Sequence, residues 1–167
     1  QTAFAVARFG NIIGSRGSVV PLFNKQRQSG ILSLTHPDMT RFWITPSQAA
    51  SFVLMSLSKM KGGEIFVPKL PSIKVVDLAR AIAPEAKYRF TGVRQNEKIH
   101  EELMTEQEFK SSVMFDNYYV IYPETENKFI HKNKGSKNKE KLYRSDNNPW
   151  KLNTEEIKSI LLSSKTP

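Results

Sequence analysis

The strongest constraint on the fold is the run Ala3–Ile13, AFAVARFGNII, which is nearly continuous in apolar side chains and passes directly into the small-residue turn Gly14-Ser15-Arg16-Gly17-Ser18. A segment that is apolar on both faces must be covered on both, as inside a parallel sheet. We therefore expect a buried strand over 3–13 and a strand-to-helix turn at Gly14–Ser18. A second run of this kind, EIFVP over 64–68, ends at its proline.

Between and after these runs the period changes to that of helices. VVPLFNKQRQSG predicts a short helix ending at Gly30, ILSLT a strand over 31–35, and HPDMTRFW a polar turn closing on two aromatic residues. Thr45-Pro46-Ser47-Gln48 is a capping box with proline at the first helical position. Behind it Ala49, Phe52, Val53, Ser56, Leu57 and Met60 share one face, and Gly62-Gly63 ends the helix. Helices are also expected over 72–84 with Ser72 as cap, over 96–104 with Asn96 as cap, and over 154–163 behind Asn153 and an acidic first turn. Strands are expected over 87–93 and 117–123. Strands alternating with helices point to an α/β architecture, with a smaller mixed region beside the two buried strands.

Composition removes several kinds of function. Without cysteine there can be no disulfide, thiol nucleophile or thiolate metal site, and this fits a cytoplasmic chain. His36, His100 and His131 have no ligand spacing, so no metal is expected. No apolar run approaches the ~18 residues a membrane span needs. The net charge of +9 is concentrated: six lysines and Arg144, against Glu140 alone, place +6 of it within 128–144. Its central run HKNKGSKNKEK has no aromatic residue and no groove-reading helix, so the segment reads as a solvated basic loop and not as a nucleic-acid site. A polyanion-binding module remains the alternative of another class.

Three arginines could carry chemistry. Arg16 lies just beyond the carboxyl end of a buried strand, where ligands bind in parallel sheets, or in an ordinary connecting loop. Arg41, between Thr40 and Phe42-Trp43, is either a surface cation–π contact or a phosphate ligand held rigid by packing. Arg94, Glu97 and Lys98 either gather an anion at a helix start or make a structural ion pair.

Taken together, RFGNIIGSRGSVVPLF, LTHPDMTRFWIT, GGEIFVPKLPSIKVVDLARAIAP and GVRQNEKIHEEL resemble the C-terminal half of the NADP-dependent inverting UDP-N-acetylglucosamine 4,6-dehydratases that begin pseudaminic acid synthesis. These are extended short-chain dehydrogenase/reductases of the polysaccharide biosynthesis proteins. The resemblance covers residues 4–104, and YRSDNNPWKLNTEEIKSIL is similar to the family's closing segment. It implies the last parallel strands of a Rossmann-type sheet, at 1–13 and 64–68, with nucleotide-sugar-binding regions over 14–63 and 69–167. It also implies roles. Asn11 would contact the sugar, and Phe9, Gly10, Asn11, Ile12 and Ile13 would lie beside the nicotinamide end of NADP. Arg41 and Arg94 would hold the diphosphate and ribose, Glu97 would sit on the ribose side, and Lys25 and Thr35 would line the nucleotide pocket. Full-length members are expected to be homo-oligomers.

Where the family usually reads glycine-arginine-proline-glycine-glutamate, this chain has Val93-Arg94-Gln95-Asn96-Glu97. Asparagine tolerates left-handed backbone, so the turn is retained with a looser loop. The family's glycine-rich dinucleotide fingerprint and its tyrosine–lysine pair have no counterpart in these residues. We therefore expect a fragment or the product of a truncated gene, catalytically inactive and less stable by itself. A related UDP-sugar 4-epimerase or a retaining dehydratase is the neighbouring alternative.

Overall fold

In the computed structural model, which describes residues 2–123 and 142–163, the opening apolar run is not one strand. It makes two short ones, β1 (Val6–Ala7) and β2 (Asn11–Ile12), which enter different sheets. Between them Gly10 packs against the next layer so closely that a Cβ there would lie 2.6 Å from the Phe42 Cβ and 2.7 Å from the Phe42 carbonyl oxygen. The kink redistributes burial. Of residues 3–13 only Ile13 is buried, and Phe4 and Val6 stand 77% and 52% exposed.

The remaining elements are α1 (Val19–Gln26), β3 (Ile31–Leu34), β4 (Thr40–Ile44), α2 (Pro46–Lys59), β5 (Ile65–Pro68), β6 (Ser72–Lys74), α3 (Val75–Ile82), β7 (Lys87–Phe90), β8 (Glu102–Met104), α4 (Glu106–Ser111), β9 (Val113–Met114), β10 (Tyr118–Ile121), β11 (Tyr143–Arg144) and α5 (Thr154–Ser163). The sheets run β1-β5-β10-β9, β2-β4-β6, β3-β7 and β11-β8. β1/β5, β2/β4 and β3/β7 are parallel pairs, and the other pairs are antiparallel. The α/β class with parallel strands is as expected.

Strand β4 divides the interior. Phe42 and Ile44 face a cluster with Val67, Leu103, Phe109, Tyr119 and Tyr143. Trp43 faces a cluster built from α1, α3, α5 and β3, including Phe23, Leu34, Leu78 and Ile157. Alternation along a strand puts Arg41 on the Trp43 side.

Several sequence expectations change. HPDMTRFW is largely not a polar turn, because its second half is the buried strand β4. Residues 72–74 are strand and not the start of a helix: Ser72 lies opposite Phe42, and α3 begins only at Val75. Residues 96–104 are not helical either. Asn96 takes φ +65°, outside the extended backbone a helix N-cap requires, and 102–104 instead pair with Tyr143–Arg144. Most of the proposed basic loop falls on 124–141, outside the described residues, but Tyr143 at its end is a buried strand residue. A capping box, Thr105 with Glu108, opens an unexpected short helix, α4.

Other local signals hold. Thr45 and Gln48 cap α2 reciprocally behind Pro46. Gly30 ends the turn after α1 at φ +69°, and Asn153 Oδ1 accepts from the N–H groups of Glu155 and Glu156. Only Ala49, Phe52 and Ser56 of the α2 face are buried, while Val53 and Leu57 are 44% and 64% exposed.

The Gly10 contact gives a direct test. Gly10→Ala forces backbone or strand to shift and should cost about 2 kcal/mol of stability, read as a lowered urea midpoint. An unchanged midpoint would contradict the close approach.

Candidate functional site

Where β2, β4, α1 and the chain after β7 converge, they enclose a cavity of about 440 Å³. β2 lies parallel to β4, with Asn11 opposite Trp43. The turn after it uses left-handed backbone at Gly14 and Gly17, φ +72° and +78°, and delivers Ser18 to the start of α1. From there Val19, Leu22, Phe23 and Gln26 face the cavity at helical spacing. Arg41 and Trp43 form the facing wall, and Thr35, Thr91, Arg94 and Glu97 close one side.

The Arg41 guanidinium is held before any ligand arrives. Its Nη1 donates to the carbonyls of Thr40 at 2.7 Å and Ile99 at 2.9 Å, and its Nη2 lies 3.8 Å from Glu97 Oε1. Glu97 Oε2 accepts the Arg94 N–H at 3.4 Å, and the Glu97 N–H returns to the Arg94 carbonyl at 3.0 Å. The left-handed Asn96 makes this tight turn possible. Two guanidinium groups and one carboxylate thus share the cavity, leaving a net positive charge for an anion. Ser18 adds to it: its Oγ is buried with no hydrogen-bond partner in the structure. It sits at the N-cap of α1, where unpaired N–H groups favour negative charge.

Behind the wall Glu101 Oε2 accepts the Phe42 N–H at 2.8 Å. Thr40 Oγ1 lies 2.9 Å from His100 Nδ1 and 2.7 Å from Ser145 Oγ, and Ser145 Oγ accepts the Glu101 N–H at 2.9 Å. Burial pushes the Glu101 carboxyl above its ordinary value, against the Phe42 hydrogen bond and the Arg41 charge, which pull it down.

Of the residues singled out from sequence, Asn11, Ile12, Ile13, Thr35, Arg41, Arg94 and Glu97 line this one cavity. Phe9 and Gly10 lie outside it: Phe9 meets Phe52 edge-on at 6.5 Å, and Gly10 abuts Phe42. Lys25 is exposed on α1, one position off the helix face that looks inward, and Arg16 is likewise exposed outside the lining. Gln26, Trp43 and Thr91 were not anticipated as site residues, whereas Gly14, Gly17 and Ser18 belong to the turn expected beyond the carboxyl end of the strand and line the cavity. Gln26 was legible in principle as the polar end of the stripe begun by Val19, Leu22 and Phe23. Among the described residues no cluster of histidine and acidic groups could hold a metal ion, and no helix is long and apolar enough to cross a membrane.

A family model described as polysaccharide biosynthesis protein matches residues 1–123. The chain is 42% identical, over 174 aligned positions, to an inverting UDP-N-acetylglucosamine 4,6-dehydratase of Campylobacter jejuni subsp. jejuni serotype O:2, covering 96% of this chain and 52% of that protein. It is 36% identical to a UDP-glucose 4-epimerase of Rickettsia bellii, covering 98% of the chain and 50% of the relative. The X-ray structure of Pen from Bacillus thuringiensis superposes with a TM-score of 0.85 at 31% identity, over 98% of this chain and 50% of that one. The chain spans about half the length of the curated relatives it matches.

The buried Glu101 yields a pH-dependent prediction. A carboxyl whose folded-state pKa exceeds its unfolded value stabilises fully below the unfolded pKa, and that stability is lost as pH rises through the folded one. Glu101→Gln keeps an acceptor for the Phe42 N–H and removes the buried charge. It should raise the melting temperature at pH 7, with the gain disappearing below about pH 4. A gain independent of pH, or a loss at pH 7, would contradict this account of Glu101.

Proposed function

The chain belongs to the polysaccharide biosynthesis protein family, and on that premise we propose that its cavity is the nucleotide-sugar site of an NADP-dependent inverting UDP-N-acetylglucosamine 4,6-dehydratase serving surface-glycan or flagellin sugar synthesis. The observation that carries this reading is the placement of Arg41 and Arg94, with Glu97 between them, on one cavity that also contains the N-terminus of α1 and Asn11. A diphosphate takes the paired guanidinium groups and the free N–H groups of α1. Glu97 accepts from ribose hydroxyls, and the Asn11 carboxamide meets the sugar at the cavity rim. Arg41 needs no reorganisation, because the carbonyls of Thr40 and Ile99 already aim it.

The same rim suits the cofactor. Ile12 is half-buried and Asn11 exposed beside it, an apolar surface next to a carboxamide that fits the flat face and amide of a nicotinamide. NADP, when bound, supplies the acceptor for the hydride leaving C4 of the sugar. The cavity lining contains no tyrosine, lysine or histidine among the described residues, so the role of this lining is to bind and orient, and the proton transfers at C5 and C6 fall to groups outside it. By itself it binds UDP without turnover. The UDP portion is common to dehydratase and 4-epimerase, so the binding role holds for either chemistry.

Calorimetric titration with UDP tests the reading, on this chain and on the chain joined to an intact dinucleotide-binding half. Arg41→Ala and Arg94→Ala should each weaken UDP roughly 10- to 100-fold, since hydrogen bonds to charged groups contribute about 1.5–3 kcal/mol. Arg41→Lys should recover only part of the loss, because an ammonium lacks the fork. Unchanged affinity in both alanine variants would sink the assignment.

A further inference from the structure

Gln26 occupies the far end of the α1 stripe, seven residues and roughly 10 Å along the helix from Val19. Its Oε1 accepts the Ser33 N–H of β3 at 3.0 Å. A backbone N–H can only donate, so this bond sets which end of the carboxamide faces the strand. The opposite end, Nε2, is left as a donor with no hydrogen-bond partner among the described residues. Gln26 is half-buried and lines the cavity together with Ser33 and Thr35. The donor therefore has a fixed direction and a defined place.

We propose that Gln26 is the residue that reads the nucleobase, selecting an oxo-pyrimidine such as uracil over cytosine. This rests on the reading of the cavity as a nucleotide-sugar site. With the phosphates at the N-terminus of α1, a nucleoside diphosphate laid along the helix carries its base to the Gln26 end. There the Nε2 hydrogens meet the C4 position. In uracil that position is a carbonyl, an acceptor that pairs with them. In cytosine it is an amino group, so two donors face each other and neither is satisfied. A site built around a directed donor rejects an analogue lacking the acceptor far more strongly than a purely apolar pocket rejects a change of size. Ser33 does not select directly; it is a positioning residue, because its backbone N–H holds the carboxamide in one orientation.

The test is a pair of calorimetric titrations, UDP and CDP, on the full chain and on Gln26→Glu and Gln26→Met, with circular dichroism melts to confirm folding. Glutamate retains an acceptor for the Ser33 N–H and replaces the donor by a second acceptor, which suits a 4-amino group. Methionine keeps the length and removes the donor. The parent should favour UDP over CDP by about tenfold or more. Gln26→Glu should reverse or abolish that preference, and Gln26→Met should level it while diphosphate binding persists. If the parent prefers UDP and both variants keep that preference, Gln26 is not the base reader, while the nucleotide-sugar assignment stands. If the parent binds neither nucleotide, or binds both independently of Arg41 and Arg94, the assignment falls and the base-reading role falls with it.

Discussion

A backbone N–H in the middle of a buried strand must be paired, and at Phe42 no strand lies on that side to accept it. β2 pairs with β4 only at Trp43 and Ile44, because the chain kinks at Gly10 just before it. The acceptor is the carboxylate of Glu101, from a segment nearly sixty residues away. Burying that carboxylate is costly enough to raise its pKa, and the structure surrounds it with compensation. Ser145 binds the Glu101 N–H, Thr40 binds Ser145 and His100, and the Ser145 N–H returns to the Glu101 carbonyl. One polar network thus ties β4 to the segment after Arg94 and to the strand before α5.

The site depends on this network. Arg41 and Trp43 point into the cavity because Phe42 and Ile44 are fixed in the opposite core by alternation. Ile99, which precedes the network's His100 and Glu101, supplies a carbonyl to the Arg41 guanidinium and another hydrogen bond to the Thr40 N–H. The same short stretch therefore places the cavity's most constrained cation and, three residues before His100, the acidic residue of the cavity lining, Glu97. A second anchor works from the hinge. Arg8 holds Glu108 in a two-pronged ion pair at 3.0 Å and also the Leu103 carbonyl, fastening the β1–β2 kink to α4 and β8. That pairing holds the Glu108 carboxyl below its ordinary value.

What could be read in the sequence follows the range of the forces involved. The Thr45–Gln48 capping box, the glycine after α1 and the asparagine before α5 act within a few residues, and α1, α2 and α5 were visible through them. Asn96 was legible only in part: its tolerance of left-handed backbone is local to the side chain, but the helix it was expected to cap does not form. β4, β8 and β11 were not visible, because each is made by distant partners, such as Tyr143, which packs against Phe42 and whose hydroxyl accepts the Leu70 N–H. The opening run misled in a different way. Its apolar character was plain, but the kink imposed by Gly10 against Phe42 splits it between two sheets. Arg41, Arg94 and Glu97, which the residues alone left divided between ligand contacts and structural ones, and Asn11, named through the family resemblance, line one cavity. That Gln26 and not Lys25 lines the cavity is a matter of helical phase, invisible until the inward face of α1 is known.

The central claim is that one prearranged cavity, walled by β4 and α1, receives the nucleotide. Amide NMR on the labelled chain during titration with UDP tests it most directly. The account predicts shifts concentrated at Ser18–Val20, Ser33–Thr35, Arg41 and Arg94–Glu97, with β4 otherwise little displaced. Shifts confined instead to the surface of α4, or to the groove between α1 and α5 lined by Arg27 and Lys158, would contradict it.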